Sequence, residues 1–93
     1  MSQPHALKDL QRIPGVGPSI ANDLYGLGIH SVADLHDQDA QTLYDRLCRQ
    51  QGQKIDRCML YVFRCAIYFA DHEAAHTLPE PGKLQWWNWK DAK

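Results

Sequence analysis

The sequence predicts an all-α fold of about five helices in one compact domain, residues 1–93. Three observations support this prediction. Apolar residues recur at steps of three and four, proline and glycine separate these stretches, and no stretch alternates apolar and polar residues as a strand does. A chain of 93 residues with 44% hydrophobic content can bury one modest core, so no further domain is expected.

The first two helices are expected on either side of a glycine-rich interruption. Apolar residues lie on one helical face over residues 4–13, and the Pro-Gly-Val-Gly run at 14–17 then breaks the pattern. Pro18 can open the second helix, because the first turn of a helix does not use its N–H groups. We expect this helix to stop at Gly26 or Gly28.

The remaining helices follow from caps and from apolar spacing. Ser31 can cap a short turn, and Asp37 or Asp39 can cap the next helix, which should end near Gly52. The longest helix is expected over about residues 54–76. Its apolar positions nearly encircle it, so we expect it at the centre of the core.

The domain divides into a first hairpin over residues 4–28, a C-terminal helical part over 31–78 and a tail over 79–93. The tail is rich in tryptophan, which either completes a small core, docks on a partner or stacks on unpaired bases. Its candidate aromatic contacts are Trp86, Trp87 and Trp89.

Charge and composition exclude several classes of protein. The net charge of −1 disfavours a general nucleic-acid binder with a basic field, but it permits a small local site. No apolar run approaches the roughly 20 residues of a membrane span. The first residues lack the basic-then-apolar plan of a signal peptide, and the cysteine count of 3 is odd. We therefore expect a cytoplasmic protein with reduced thiols.

The sequence offers no convincing metal or catalytic site. Cys58, Cys65, His72 and His76 lie on one predicted helical face. At about 1.5 Å of rise per residue, Cys58 and His72 are roughly 21 Å apart, so one ion cannot bind all four. No Cys-x-x-Cys pair and no recognisable nucleophile–histidine spacing is present. We predict no metal site, no catalytic residue and no enzymatic activity.

The most informative stretch runs from Leu10 to Leu24 and reads LQRIPGVGPSIANDL. Gly15 and Gly17 lack a Cβ atom, so the backbone there can approach a ligand closely. Val16, between them, can point inward and anchor the turn. N–H groups at the start of the following helix present fixed positive dipoles, which suit a phosphate.

This stretch resembles the helix-hairpin-helix family in its proline-glycine-apolar-glycine turn between two apolar helices. The resemblance implies a sequence-independent contact with the DNA backbone and, in some members, a monovalent cation held by hairpin carbonyls. No other cofactor is expected. The expected contacts combine turn amides with nearby polar and basic side chains, namely Gly15, Val16, Gly17, Ser19, Lys8 and Arg12.

The turn also permits a second interpretation. Pro18, Ser19 and Ile20 stand where DNA-binding members often carry Lys or Arg. A Gly-x-Gly turn can simply be a tight corner between packed helices, or a surface for another protein. The alternative function is therefore a protein-interaction adaptor without nucleic-acid contact. Any DNA binding should be weak and strongly salt-dependent.

A wider resemblance covers residues 7–90. The stretches at 26–35, 43–48 and 61–64, together with the Trp86-Trp87 pair, resemble a family of small bacterial proteins. These are known as pathogenicity-locus or mitomycin-resistance-like helix-hairpin-helix proteins. The resemblance implies a link to DNA repair or maintenance.

Overall fold

A computed structural model of the chain describes residues 3–89, so the last four residues of the tail lie outside the described range. Every regular element in that range is helical, which confirms the predicted all-α class. The α-helices are α1 Gln3–Leu10, α2 Pro18–Gly26, α3 Ala40–Gln51 and α4 Cys58–Ala75. Three short 3-10 helices span Val32–Leu35, Pro81–Leu84 and Trp86–Trp89.

The expected number of about five helices is wrong, since the described residues form four α-helices. The stretch after Ser31 tightens into a single 3-10 turn. α1 ends at Leu10 because the following N–H groups, such as that of Ile13, bond to carbonyls three residues earlier and turn the chain. α4 begins at Cys58, later than expected, where Asp56 accepts its N–H at 2.9 Å.

The caps of α2 and α3 follow from their sequences. Pro18 occupies the first turn of α2, as predicted. Asp39, rather than Asp37, caps α3 by accepting the Thr42 N–H at 2.9 Å. Gly52 ends α3 with a φ of +68°, the left-handed conformation that glycine adopts without strain. These local signals therefore set the boundaries of both helices.

α4 lies at the centre of the molecule, as its apolar sequence predicts. It packs against α3, against the 3-10 helix Val32–Leu35 and against both 3-10 helices of the tail. Phe63 on α4 is fully buried, and α1 and α2 pack against each other. None of the helices in residues 3–89 combines the length and apolarity needed to cross a bilayer. The core of the described chain is therefore built around α4.

Candidate functional site

The turn between α1 and α2, residues 11–17, is called the first glycine turn below. Val16 is buried in the core, where it anchors the turn as expected. Gly15 has a φ of +87°, a conformation that a residue with a Cβ adopts only with strain. The buried valine and the left-handed glycine together fix the direction in which the chain enters α2.

The first glycine turn leaves an open helix N-terminus. Of the amides expected to be free, the Val16 N–H is used internally, since it donates to the Ile13 carbonyl at 3.0 Å. Gly17 occupies the N-cap of α2 and provides no side-chain cap. Within residues 3–89, no acceptor lies in hydrogen-bond range of the N–H groups of Gly17, Ser19 or Ile20. Residues 3–89 therefore leave these amides without a partner of their own.

Lys8 and Arg12, the basic residues near this turn, differ in whether they form ion pairs. Lys8 is exposed and forms no ion pair with any described residue. Arg12 donates to both carboxylate oxygens of Glu73 at 2.8 and 2.9 Å, and to Asp9 at 3.0 Å. Hydrogen bonding to Glu73, with a smaller contribution from Asp9, holds the pKa of Arg12 above its usual value. The charge of Arg12 is thus balanced within the protein.

A second glycine turn, residues 27–31, follows α2. Gly28 there has a φ of +91°, close to that of Gly15. The N–H groups of Gly28 and Ile29 donate to carbonyls of α2 and close the end of that helix. The two turns therefore share a left-handed glycine next to α2.

The amides that lead out of the second glycine turn bind carboxylates. The His30 N–H donates to Asp34 at 2.9 Å. The Val32 N–H donates to Asp9 at 2.8 Å. Because Asp9 also accepts from Arg12, one carboxylate links α1, the first glycine turn and the 3-10 helix that follows the second glycine turn. Carboxylates therefore hold two of the amides beside the second glycine turn, whereas no described carboxylate accepts an N–H at the start of α2.

The tail reaches the first glycine turn through Trp86. The Cδ1 atom of this half-buried ring lies 3.1 Å from the position that a Cβ on Gly15 would occupy. The indole N–H of Trp86 has no acceptor in the described part of the chain. Trp86 therefore packs directly over the turn and against the core.

The two other tryptophans have different environments. Trp87 is 49% exposed and meets Trp86 edge to face, with ring centroids 5.7 Å apart. Trp89 donates its indole N–H to the Lys83 carbonyl at 2.7 Å and lies against Tyr68. Trp89 thus holds the tail on α4, whereas Trp87 leaves much of its ring accessible.

A cavity of about 310 Å³ separates the first glycine turn from the start of α4. Asp56 and Cys58 supply the polar part of its lining. The rest of the lining comes from Gly15, Ile20, Ile55, Met59, Val62 and Trp86. The sequence indicated the turn and the tryptophans separately, and only the packing of the tail brings Trp86 and Gly15 to one cavity.

Histidine, cysteine and aspartate side chains are the candidate metal ligands of the chain. The cysteine–histidine set considered from the sequence does not converge. Among the described residues, the cluster with metal-ligating atoms within 4.8 Å of one another is His36, Asp37 and Asp71. His36 Nδ1 lies 2.8 Å from Asp71, and the Asp37 N–H donates to the same carboxylate. This cluster is an exposed hydrogen-bond network that ties the loop before α3 to α4.

The fold and the first glycine turn define a small all-helical protein with an open helix N-terminus beside an apolar cavity. The model of the pathogenicity-locus family, Cdd1, matches residues 3–93, and the chain belongs to this family. It is also similar to the mitomycin resistance protein McrB of Streptomyces lavendulae. The identity is 32% over 81 residues, which covers 87% of this chain and 70% of that protein. No solved structure matches the chain.

Proposed function

We propose that this chain is a helix-hairpin-helix module that binds the DNA backbone without reading base sequence. The open amides of Gly17, Ser19 and Ile20 at the start of α2 carry the proposal. Such amides, aligned with the helix dipole, attract a phosphate oxygen and provide directed hydrogen bonds. α1, the first glycine turn and α2 supply the two helices and the hairpin of the motif.

The surrounding charges predict weak binding. Lys8 supplies a cation that no described residue pairs with, whereas Arg12 is held by Glu73 and Asp9 and adds little net charge. With one or two phosphate contacts, log K should fall with log salt at a slope of about −1 to −2. We expect affinity in the micromolar range or weaker, as for one contact within a larger assembly.

The relatives suggest a cellular setting for this activity. The similar protein is named for mitomycin resistance, and the family for a pathogenicity locus. We propose that the chain acts in DNA repair or maintenance in the bacterial cytoplasm. A hairpin that binds the DNA backbone regardless of base sequence suits such a role, because DNA damage occurs at any sequence.

A charge placed on the turn tests the proposal. Ser19→Glu puts a carboxylate in the first turn of α2, where it favours the helix dipole but repels phosphate. Ala33→Glu adds the same charge beside the second glycine turn. We expect Ser19→Glu to weaken binding of a labelled duplex by about tenfold or more at low salt, measured by fluorescence anisotropy. Ala33→Glu should bind nearly as well as wild type.

Two results would count against this assignment. If Ser19→Glu binds as tightly as wild type, the first glycine turn is not the contact. If the wild-type chain binds no duplex or single strand even at low salt, the DNA-binding proposal fails. Thermal unfolding of both variants shows whether either change disturbs the fold.

A protein-interaction adaptor is the second candidate. Two large apolar side chains favour it, since Leu78 is 94% exposed and Trp87 is 49% exposed. Trp is enriched at energetically important positions of protein interfaces. A wild-type chain that fails to bind DNA at low salt would leave this candidate as the preferred function.

A further inference from the structure

We infer that the cavity beside the first glycine turn binds an unstacked nucleobase, so that the preferred ligand is single-stranded or frayed DNA. The inference rests on the proposed function for its phosphate contact. In this arrangement one nucleotide places its phosphate on the open amides of α2 and its base in the cavity.

The cavity and the open amides belong to the same few residues. The Ile20 N–H, at the start of α2, has no acceptor among the described residues, and Ile20 also lines the cavity. Gly15 lines the cavity as well, directly beneath Trp86. A phosphate and its base are separated by only one sugar, so a single nucleotide can reach both places.

The chemistry of the cavity suits a flat, uncharged ring. Its volume of about 310 Å³ is within the usual range of small-molecule sites, and most of its lining is apolar. Trp86 contributes an aromatic surface, and its indole N–H, which has no acceptor among residues 3–89, can donate to a ring nitrogen or carbonyl oxygen. Because the acidic residue Asp56 is part of the lining, a neutral base is favoured there over a second phosphate.

Base pairing would control access to this site. Bases within a duplex are stacked and paired, so a base enters a side pocket only after it has been extruded at an energetic cost. A single strand or a frayed end does not carry that cost, and aromatic stacking tolerates any base. The site would therefore select for DNA structure and remain indifferent to sequence.

Paired tryptophan variants test the inference. Trp86→Leu keeps apolar bulk over the turn but removes the aromatic face and the N–H, whereas Trp87→Leu alters the neighbouring ring outside the cavity lining. Anisotropy is measured with a labelled single strand and with a long blunt duplex containing it. We expect wild type to bind the single strand about fivefold to tenfold more tightly than the duplex. Trp86→Leu should lose the preference for the single strand over the duplex, and Trp87→Leu should keep it.

A measurement on the wild-type chain needs no substitution. Cys58 is exposed and lines the cavity, whereas Cys65 is buried. Alkylation of each thiol by iodoacetamide is followed by mass spectrometry. Saturating single strand should slow alkylation of Cys58 several-fold more than the duplex does. Cys65 serves as the internal standard for opening of the fold.

The outcomes separate the inference from the proposed function. Equal binding of single strand and duplex, with both weakened by Ser19→Glu, overturns the base site and leaves the backbone contact intact. The base site is also overturned if Trp86→Leu and Trp87→Leu lose the single-strand preference equally. It is overturned as well if single-stranded DNA does not change the rate at which Cys58 is alkylated. If neither form of DNA binds, both proposals fail.

Discussion

The two glycine turns that flank α2 have similar glycine geometry and opposite hydrogen-bond environments. Gly15 and Gly28 have φ values of +87° and +91°. After the first turn, the N–H groups at the start of α2 have no acceptor in residues 3–89, whereas after the second turn two carboxylates accept such groups. A glycine turn is therefore not a binding site by itself, and the neighbouring side chains decide whether its amides are available.

Asp9 makes the difference at the second glycine turn. Its carboxylate accepts the Val32 N–H at 2.8 Å and also binds Arg12. An anion from the protein itself thus occupies the position that a ligand anion would take. This carboxylate stabilises the packing of α1 on the 3-10 helix Val32–Leu35 and leaves the Val32 N–H unavailable to a ligand anion.

Removal of the Asp9 carboxylate should give the largest change in the free energy of unfolding. Asp9→Ala leaves the partly buried Val32 N–H without an acceptor and breaks the Arg12 contact. We expect unfolding in urea to become easier by about 1–3 kcal/mol. Asp34→Ala is the matched control and should cost less, because the His30 N–H that it frees is exposed to water. Equal losses would show that Asp9 has no special role.

Alanine substitution at Gly15 and at Gly28 tests whether Trp86 packs on the first glycine turn. Both substitutions force a left-handed alanine, which costs about 1–2 kcal/mol. Gly15→Ala should cost more than Gly28→Ala, since only its Cβ meets Trp86 at 3.1 Å while the other enters open space. Urea denaturation in a Trp86→Ala background should abolish the difference. A difference that persists there would mean that the tail does not pack on the turn.

The smallest effect concerns Arg12 and Glu73, the ion pair that ties the first glycine turn to α4. Hydrogen bonds from Arg12 hold the pKa of Glu73 below its usual range. The stabilisation is therefore complete above the ordinary carboxyl pKa, near 4.3, and is lost as pH falls through the lower folded-state value. Because the pair is exposed, it should contribute about 0.2–1 kcal/mol at neutral pH.

Urea unfolding from neutral to acid pH measures this contribution. Glu73→Gln should be less stable than wild type at neutral pH, and the gap should close in acid. Glu80→Gln is the control, since the Glu80 carboxylate forms no ion pair with any described residue. A constant gap across the pH range would show that the loss is not electrostatic.

Several features of the fold could be predicted from the sequence because they depend on residues adjacent in the chain. The all-α class, the start of α2 at Pro18 and the cap of α3 between Asp39 and Gly52 each follow from local spacing or backbone preference. The central position of α4 follows from apolar residues around its whole circumference. The end of α1 and the start of α4 were missed because hydrogen bonds in the adjoining turns set them.

The sequence by itself determined the all-α class, the start of α2, the caps of α3, the first glycine turn and its anchor at Val16. Only the tertiary structure decided which amides and charges remain available. Arg12 meets Glu73 across 61 positions in the chain, and Trp86 comes to rest over Gly15. Such contacts depend on how the helices pack, which no short stretch of sequence specifies. The physical reason is that helix formation is governed by local backbone preferences, whereas the availability of an amide depends on every side chain that folding brings beside it.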